Sequence, residues 1–441
     1  MNNKRGWTIA FCVFIINIFI IGVIHTVSVI LVELQREFNS TTTAIGWVGS
    51  VSTATICSMS PLSCFLYELT SHRKVAIIGV VLSAAGILLT TFATDLVTVF
   101  ITFSIVYGIG GNFVYNPLMN LLSCYFPNDN CSRATSLAVS GTAVGMLTLG
   151  PIFSFCFTWY GWRLTLRIFS IVILLVGVVC CIPFDPPPIK DADSTYSIHD
   201  DEKRTEKCVA EEKPKDIFMK YLLILKLVEH WLFNLAIIFS TCAAMFNLIY
   251  LVSVAESMAF PPKIASHMVA ISAGGQLIGR FLCIIGGDKL PFPRVVAMCL
   301  TCLLGTGITV TLLFVDSYAM FIVYTIISSI PMGIHWSLIY SVAVEIFGIA
   351  RNSEVVGYLT VSIGLAALGA PMAFGKAFDA TGSYNTSIMV CAAFWFMSSL
   401  CYFAVYVYNS FCSSTSNDKY IAVSTGIVAE DKFIRENATP V

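Results

Sequence analysis

Arg280 is the charged residue whose surroundings are most unusual for its chemistry. It lies in an apolar run, residues 268–287 (MVAISAGGQLIGRFLCIIGG), with no acidic residue in the two helical turns before it. An unpaired cation in hydrocarbon costs at least about 2.5–3.5 kcal/mol, so such residues usually face a bundle interior or an aqueous path. Snorkelling is disfavoured because Asp288, at the polar end, is about 12 Å away along a helix. Since a guanidinium forms a fork of donors that suits a carboxylate, we predict that Arg280 anchors a small organic anion. The alternative is a purely structural arginine.

Two further polar residues in apolar runs could contact the same anion. His25 lies in the first run, and an imidazole titrates near neutral pH and can donate to a carboxylate. A satisfied interior histidine is the alternative. Asn116, in the fourth run, could hydrogen-bond a substrate, although bonding between helices is the default role of such an asparagine. The predicted substrate-binding set is therefore Arg280, His25 and Asn116.

Several function classes are disfavoured by what the sequence lacks. It contains no nucleotide-binding loop, metal-ligand cluster or nucleophile motif, which argues against an ATP-driven pump and an enzyme and predicts neither cofactor nor metal. A net charge of −1 argues against a nucleic-acid partner. A channel would need a filter loop or a charged ring, and neither is visible.

The elements that must position these residues are transmembrane helices. Hydrophobic residues make up 57% of the chain and charged residues 12%, whereas soluble proteins carry about 25% charged residues. Apolar runs of about 20 residues or more favour helices in a lipid bilayer over barrel strands. We predict an all-α fold of twelve spans, numbered in chain order: 7–31, 44–67, 75–93, 96–122, 134–158, 162–184, 227–252, 265–287, 294–315, 317–344, 354–376 and 387–410.

A polar segment divides the spans into two sets of six. It opens with three consecutive prolines and is rich in both charge signs, a composition that cannot bury enough apolar surface to fold. The predicted organisation is an N-terminal six-helix half (1–184), a cytoplasmic linker (185–226), a C-terminal six-helix half (227–410) and a cytoplasmic tail (411–441). This plan is typical of transporters whose halves rock around a midplane site.

The distribution of basic residues predicts the orientation. Most of the 25 lysines and arginines lie in the two tails, the linker and the loops on the linker side. Because cytoplasmic loops carry the excess of positive charge, both termini are expected in the cytoplasm. The glycosylation sequon that begins at Asn39 would then face outward.

Three stretches resemble the monocarboxylate transporter family within the major facilitator superfamily. They are YFPNDNCSRATSLAVSGTAVGMLTLGPIFSFCFTWYGWRLTL (125–166), GRFLCIIGGDK (279–289) and EIFGIARNSEVVGYLTVSIGLAALGAPMAFGKAFDATGSYNTS (345–387). The resemblance implies the superfamily fold and a plasma-membrane carrier that moves a small monocarboxylate, or a related organic anion or amino acid, by alternating access. It also implies a single-span ancillary glycoprotein as a candidate partner. The entry to span 1 departs from the family and keeps only Gly6-Trp7.

The resemblance also bears on coupling and on alternatives. Proton-coupled lactate carriers of the family have a lysine where this chain has His25 and an aspartate where it has Gln276. Thyroid-hormone carriers of the family have a histidine that aligns with His25 when an offset of one residue is allowed. In those carriers the histidine and the span 8 arginine contact the substrate together. We therefore predict facilitated diffusion. A proton-coupled lactate or pyruvate symporter, and a transporter-like receptor that binds without cycling, are the alternatives.

Charged residues at the cytoplasmic helix ends form a predicted gate, which includes Asp288, Arg73 and Glu345. By resemblance to short loop motifs of the superfamily, such charges would bridge the two halves in one state and separate in the other. Pairs of this kind can bias a two-state equilibrium by about a kcal/mol. For Arg73, positive-inside anchoring is an equal alternative.

The C-terminus ends in Thr439-Pro440-Val441. A hydroxyl residue, a spacer and a terminal valine suit strand addition and carboxylate capture by a PDZ domain, so a PDZ protein at Val441 is a candidate partner. A chance tail ending is the alternative.

Overall fold

The computed structural model describes residues 4–40, 42–126, 130–185, 214–258 and 262–436. Over these residues the regular secondary structure is entirely helical. The all-α prediction is therefore confirmed for the described part of the chain.

The first six spans are formed by the N-terminal helices. These are Lys4–His25 continued by Val27–Phe38, Thr42–Ser58 continued by Ser60–Leu69, His72–Thr90, Leu96–Tyr125, and Cys131–Cys181, which contains spans 5 and 6. The long helix Cys131–Cys181 is interrupted at Gly161, where φ is 74° and ψ is 157°. Because this backbone conformation strains residues that carry a Cβ, glycine suits the turn between the two spans.

The C-terminal spans follow a short helix, Pro214–Ile224. They are Val228–Ile249 continued by Leu251–Ser257, Pro262–Gly286, Arg294–Phe314, Tyr318–Phe347, Asn352–Thr381 and Tyr384–Glu436. Among the described residues, 10 helices are long and apolar enough to cross a membrane. Counting Cys131–Cys181 twice and adding the interrupted helix of span 2 accounts for the twelve predicted spans.

Two segments contain more helix than their polar composition suggested. The last part of the predicted linker forms Pro214–Ile224, whose Tyr221 and Ile224 are buried. In the predicted tail, the backbone of span 12 stays helical to Glu436. The linker helix is stabilised because Tyr221 and Ile224 bury their side chains against the rest of the protein.

Small residues bring the backbones together within each half. A Cβ added at Gly141 of span 5 would collide with the carbonyl oxygen of Phe14 in span 1. On span 8, a Cβ at Gly279 would collide with the carbonyl oxygen of Ile330 in span 10. Such close approach is typical of transmembrane helix packing. Spans 5 and 8 are thus each packed firmly against a helix of their own half.

The two halves meet along a seam in which span 5 packs against spans 8 and 10, and span 2 against span 11. We call the end of the bundle that contains Asp288, Arg5 and Arg73 the Asp288 end, and the opposite end the Arg163 end. At the Asp288 end Gly287 lies against Ser132 across the seam. The halves are therefore closed against each other at this end.

Candidate functional site

Arg280 lies in the middle of the seam and is almost completely buried, with 2% of its surface exposed. Its Nη1 donates to the carbonyl oxygen of Val139 at 2.9 Å and to Oγ1 of Thr142 at 2.7 Å. Both acceptors belong to span 5 of the other half. Nη2 donates to Oε1 of Gln276, one turn earlier on the same helix, at 3.3 Å. All three acceptors are neutral.

The positive charge of Arg280 therefore has no counter-ion within the described residues, where no carboxylate forms a salt bridge with it. A guanidinium has five N–H donors. Three hydrogen bonds leave one Nη2 donor and the buried Nε–H, which has no partner among the described residues. Nε and Nη2 form one edge of the guanidinium, so this edge can receive a carboxylate in the bidentate geometry.

His25 lies close enough to interact electrostatically with Arg280. It ends the helix Lys4–His25, just before Thr26, where φ of −107° and ψ of 8° interrupt span 1. The imidazole is only partly exposed. The structure thus brings two of the three predicted binding residues, Arg280 and His25, to one place.

Tyr115 lies near Arg280 and is bonded to Tyr340, and neither tyrosine was predicted from the sequence. Tyr340 of span 10 donates its hydroxyl to the hydroxyl oxygen of Tyr115 in span 4 at 3.0 Å. The two rings meet edge to face, with centroids 6.1 Å apart, and Tyr115 interacts electrostatically with Arg280. This hydrogen bond also joins the two halves. The position of Tyr115 next to Asn116, in a run already rich in polar residues, was the available signal.

Asn116 is fully buried and belongs to a chain of hydrogen bonds between helices. Its Nδ2 donates to Oδ1 of Asn112 at 3.3 Å, and its Oδ1 accepts from Thr360 of span 11 at 3.4 Å. Asn112 in turn donates to Oγ of Ser60 in span 2 at 2.9 Å. The side chain of Asn116 thus contacts neighbouring helices, and no direct bond to Arg280 is present among the described residues.

Asp288 joins the two halves at the end named after it. Its Oδ1 accepts the backbone N–H of Ser132 at 2.9 Å, and its Oδ2 accepts that of Arg133 at 3.0 Å. These are donors of the first turn of Cys131–Cys181, where a negative charge is favourable. Arg294 pairs with the same carboxylate at 3.0 Å. Asp288 therefore links span 8 to span 5 in the closed seam.

The other two predicted gate residues have no described bond to the opposite half. Arg73 pairs with Asp185, which also pairs with Arg5 at 2.9 Å. Glu345 accepts the backbone N–H of Arg294 at 3.1 Å. Of the three predicted gate residues, Asp288 alone has a described bond that crosses the seam.

The long paired helices, the central seam and the sequence pattern agree with one known family. The model of the Major Facilitator Superfamily matches residues 9–371. This chain belongs to that superfamily. It is a secondary transporter in a lipid bilayer. Like the other members of this transporter family, it is not an enzyme.

The resemblance to monocarboxylate transporters is likewise confirmed. The transporter is 25% identical over 387 residues to Monocarboxylate transporter 2 of Mus musculus, an alignment that covers 86% of this chain and 79% of the relative. It is also 25% identical over 392 residues to Monocarboxylate transporter 13 of Rattus norvegicus, covering 88% and 86% of the two chains.

Solved structures support the fold. The proton:xylose symporter XylE superimposes with a TM-score of 0.69 at 12% identity, covering 91% of this chain and 95% of that one. The transporter FucP in its outward conformation superimposes with a TM-score of 0.67 at 13% identity, covering 91% and 98%. At these identities the likeness concerns the superfamily fold alone.

Proposed function

We propose that this transporter carries a small monocarboxylate, or a related organic anion or amino acid, across the plasma membrane by alternating access. Arg280 is the anion anchor, with His25 as a second contact. The observation that carries the proposal is the buried guanidinium at the seam, whose acceptors among the described residues are all neutral. An anion at this place would neutralise a charge that is otherwise expensive in hydrocarbon.

The free edge of Arg280 favours a carboxylate over other ligands. Nε and Nη2 can donate two parallel hydrogen bonds to the two oxygens of one carboxylate. His25 lies on another helix within electrostatic range and can donate a further bond. Such a site selects the anionic group and leaves recognition of the rest of the substrate to the neighbouring side chains.

The closed seam supports alternating access with Asp288 as the switch. In this conformation Asp288 ties span 8 to the first turn of span 5, so the site is closed toward the Asp288 end. Release toward the Asp288 end requires these bonds to break. Arg73 pairs with Asp185 at the beginning of the linker, and Glu345 bonds Arg294 within the C-terminal half, so both would support the gate indirectly.

An uptake screen with counterflow tests the carrier directly. Cells or proteoliposomes would receive labelled lactate, pyruvate, creatine, aromatic amino acids or iodothyronines, each at two pH values. A carrier accelerates exchange when unlabelled substrate is present on the other side. Binding without accelerated exchange would favour the receptor alternative.

Facilitated diffusion is the proposed mode of transport. Gln276, which accepts a hydrogen bond from Arg280 at 3.3 Å, is a neutral amide. Among the described residues, no carboxylate pairs with Arg280, so none could lose and regain its charge as substrate binds and leaves. A modest pH effect through His25 is compatible with this mode. One proton entering with each substrate would favour the symporter alternative.

Orientation and partners complete the proposal. Both termini lie in the cytoplasm, so the Asp288 end is cytoplasmic and is the end at which the halves are closed in this conformation. A single-span ancillary glycoprotein and a PDZ protein are candidate partners. The predicted PDZ ligand at Val441 lies outside the described residues, and a pull-down with and without the last three residues tests it.

A further inference from the structure

The shortest hydrogen bond of Arg280 goes to a residue of the opposite half. Thr142 Oγ1 accepts from Nη1 at 2.7 Å, while the same hydroxyl donates its proton to the carbonyl oxygen of Val139 at 3.0 Å. Because the proton is used within span 5, the lone pairs of Thr142 are left for the guanidinium. Thr142 and Val139 are 5% and 3% exposed, so water does not readily replace either acceptor.

We propose that Thr142 is a positioning residue for Arg280 and that their bond is a central latch between the halves. The latch comprises Arg280 of span 8 with Thr142 and the Val139 carbonyl of span 5. It fixes the rotation of the guanidinium, so that the Nε–Nη2 edge stays free for the anion. This inference rests on the proposed role of Arg280 as anchor.

The latch exists only while spans 5 and 8 lie side by side. Span 5 is packed against span 1 through Gly141, and span 8 against span 10 through Gly279. Each helix therefore moves with its own half. When the Asp288 end opens, Arg280 loses both acceptors at once, in the same movement that separates Asp288 from Ser132.

The consequence is that the empty transporter favours the closed Asp288 end. A hydrogen bond to a charged group contributes enough free energy to change an equilibrium by about tenfold or more. Removing the Thr142 acceptor should shift the population toward the open Asp288 end by about that factor. Anion affinity from the Arg163 side should then weaken, because the competent state is less populated.

The test uses a cross-link that reports closure of the seam. Ser132 and Ser341 face each other across it, with their hydroxyl oxygens 3.1 Å apart. Cysteines at both positions can form a disulfide under diamide, which takes up the two hydrogens of the thiols. A protease site in the linker then separates the halves unless they are bridged. The protein that carries the two introduced cysteines is the parent for the variants below. The protein without them measures the background from native cysteines.

Three variants are compared in this background. Thr142→Val removes the acceptor and keeps the volume, Thr142→Ser restores the hydroxyl, and Thr148→Val is the matched control. Thr148 lies on the same span but is exposed and bonds only the carbonyl of Val144 in its own helix. Monodisperse elution in detergent establishes that each variant is folded.

We expect the closed-to-open ratio of Thr142→Val to fall by about tenfold, measured as slower cross-linking and a higher KM for uptake, with little change in maximum rate. Thr142→Ser and Thr148→Val should resemble the parent. Unchanged cross-linking and KM in Thr142→Val would overturn the latch. If no carboxylate is transported at all, the proposed function fails, and the cross-linking rates still decide whether the latch exists.

Discussion

Asp288 and Ser132 connect the two halves of the bundle through a carboxylate oxygen and a backbone N–H that are 2.9 Å apart. The contact places a negative charge at the beginning of span 5, where unpaired N–H groups attract it. The carboxylate is largely buried, with 11% of the side chain exposed, and it also pairs with Arg294. The buried carboxylate of Asp288 therefore stabilises the closed seam more than an exposed ion pair on the surface would.

The variant Asp288→Asn tests this contact. The amide has one acceptor oxygen and no charge, so we expect the closed state to weaken by about tenfold and uptake to fall. The cross-link between cysteines at 132 and 341 measures the change. Asp95→Asn is the control, because the Asp95 carboxylate accepts the backbone N–H of Thr98 at the start of its own helix, at 2.6 Å. Equal cross-linking in Asp288→Asn and its parent would remove Asp288 from the gate.

A carboxylate placed next to Arg280 should create proton dependence. In Gln276→Asp the new group can pair with Arg280 when it is ionised and compete with the substrate anion. Protonation removes the competition, so uptake by this variant should fall as pH rises, more steeply than in the parent. Initial uptake rates between pH 5 and 8 measure this, with Gln276→Asn as the control. Parallel pH profiles in the two variants would show that Gln276 does not determine coupling.

Close packing at Gly141 should make its substitution costly. A Cβ there meets the backbone of Phe14, and overpacking of this kind costs about 1–3 kcal/mol. We expect Gly141→Ala to lower Tm, measured on protein in detergent. Gly307→Ala is the matched control, because a Cβ at Gly307 meets nothing within 4 Å. A Tm for Gly141→Ala equal to that of the control would contradict the packing.

The proposed orientation predicts glycosylation at Asn39. This residue is in the left-handed region, with φ of 47°, at the end of helix Val27–Phe38 at the Arg163 end. We expect a glycosidase-sensitive mass shift that disappears in Asn39→Gln. A further sequon, Asn130-Cys131-Ser132, lies at the Asp288 end, so Asn130→Gln should leave the shift unchanged. A shift that depends on Asn130 instead would invert the topology.

The twelve spans and the burial of Arg280 could be predicted from the sequence because hydrocarbon thickness imposes both. A run of apolar residues of that length must cross the bilayer, and a charge in its middle must avoid lipid. His25 and Arg280 were grouped through family resemblance. Their proximity in the structure agrees with that grouping.

The partners of Arg280 could not be predicted in the same way. Thr142 and Tyr115 are ordinary polar residues within their spans. Which side chains meet across the seam depends on the rotation and register of separate helices, and the apolar pattern within one span determines neither. The same holds for Arg73, because its bond to Asp185 at the beginning of the linker could not be distinguished by sequence from a bond across the halves.

The most direct test of the central claim is uptake of labelled monocarboxylate by Arg280→Lys and Arg280→Ala at equal surface expression. A lysine keeps the charge but cannot donate two parallel hydrogen bonds to one carboxylate. Arg36→Lys is the control, since Arg36 is exposed and pairs with Glu33 in its own helix. We predict that both Arg280 variants lose uptake by about 100-fold or more, as expected when a charge-assisted bidentate pair is removed, and that the control retains it. Full uptake by Arg280→Ala would contradict the account.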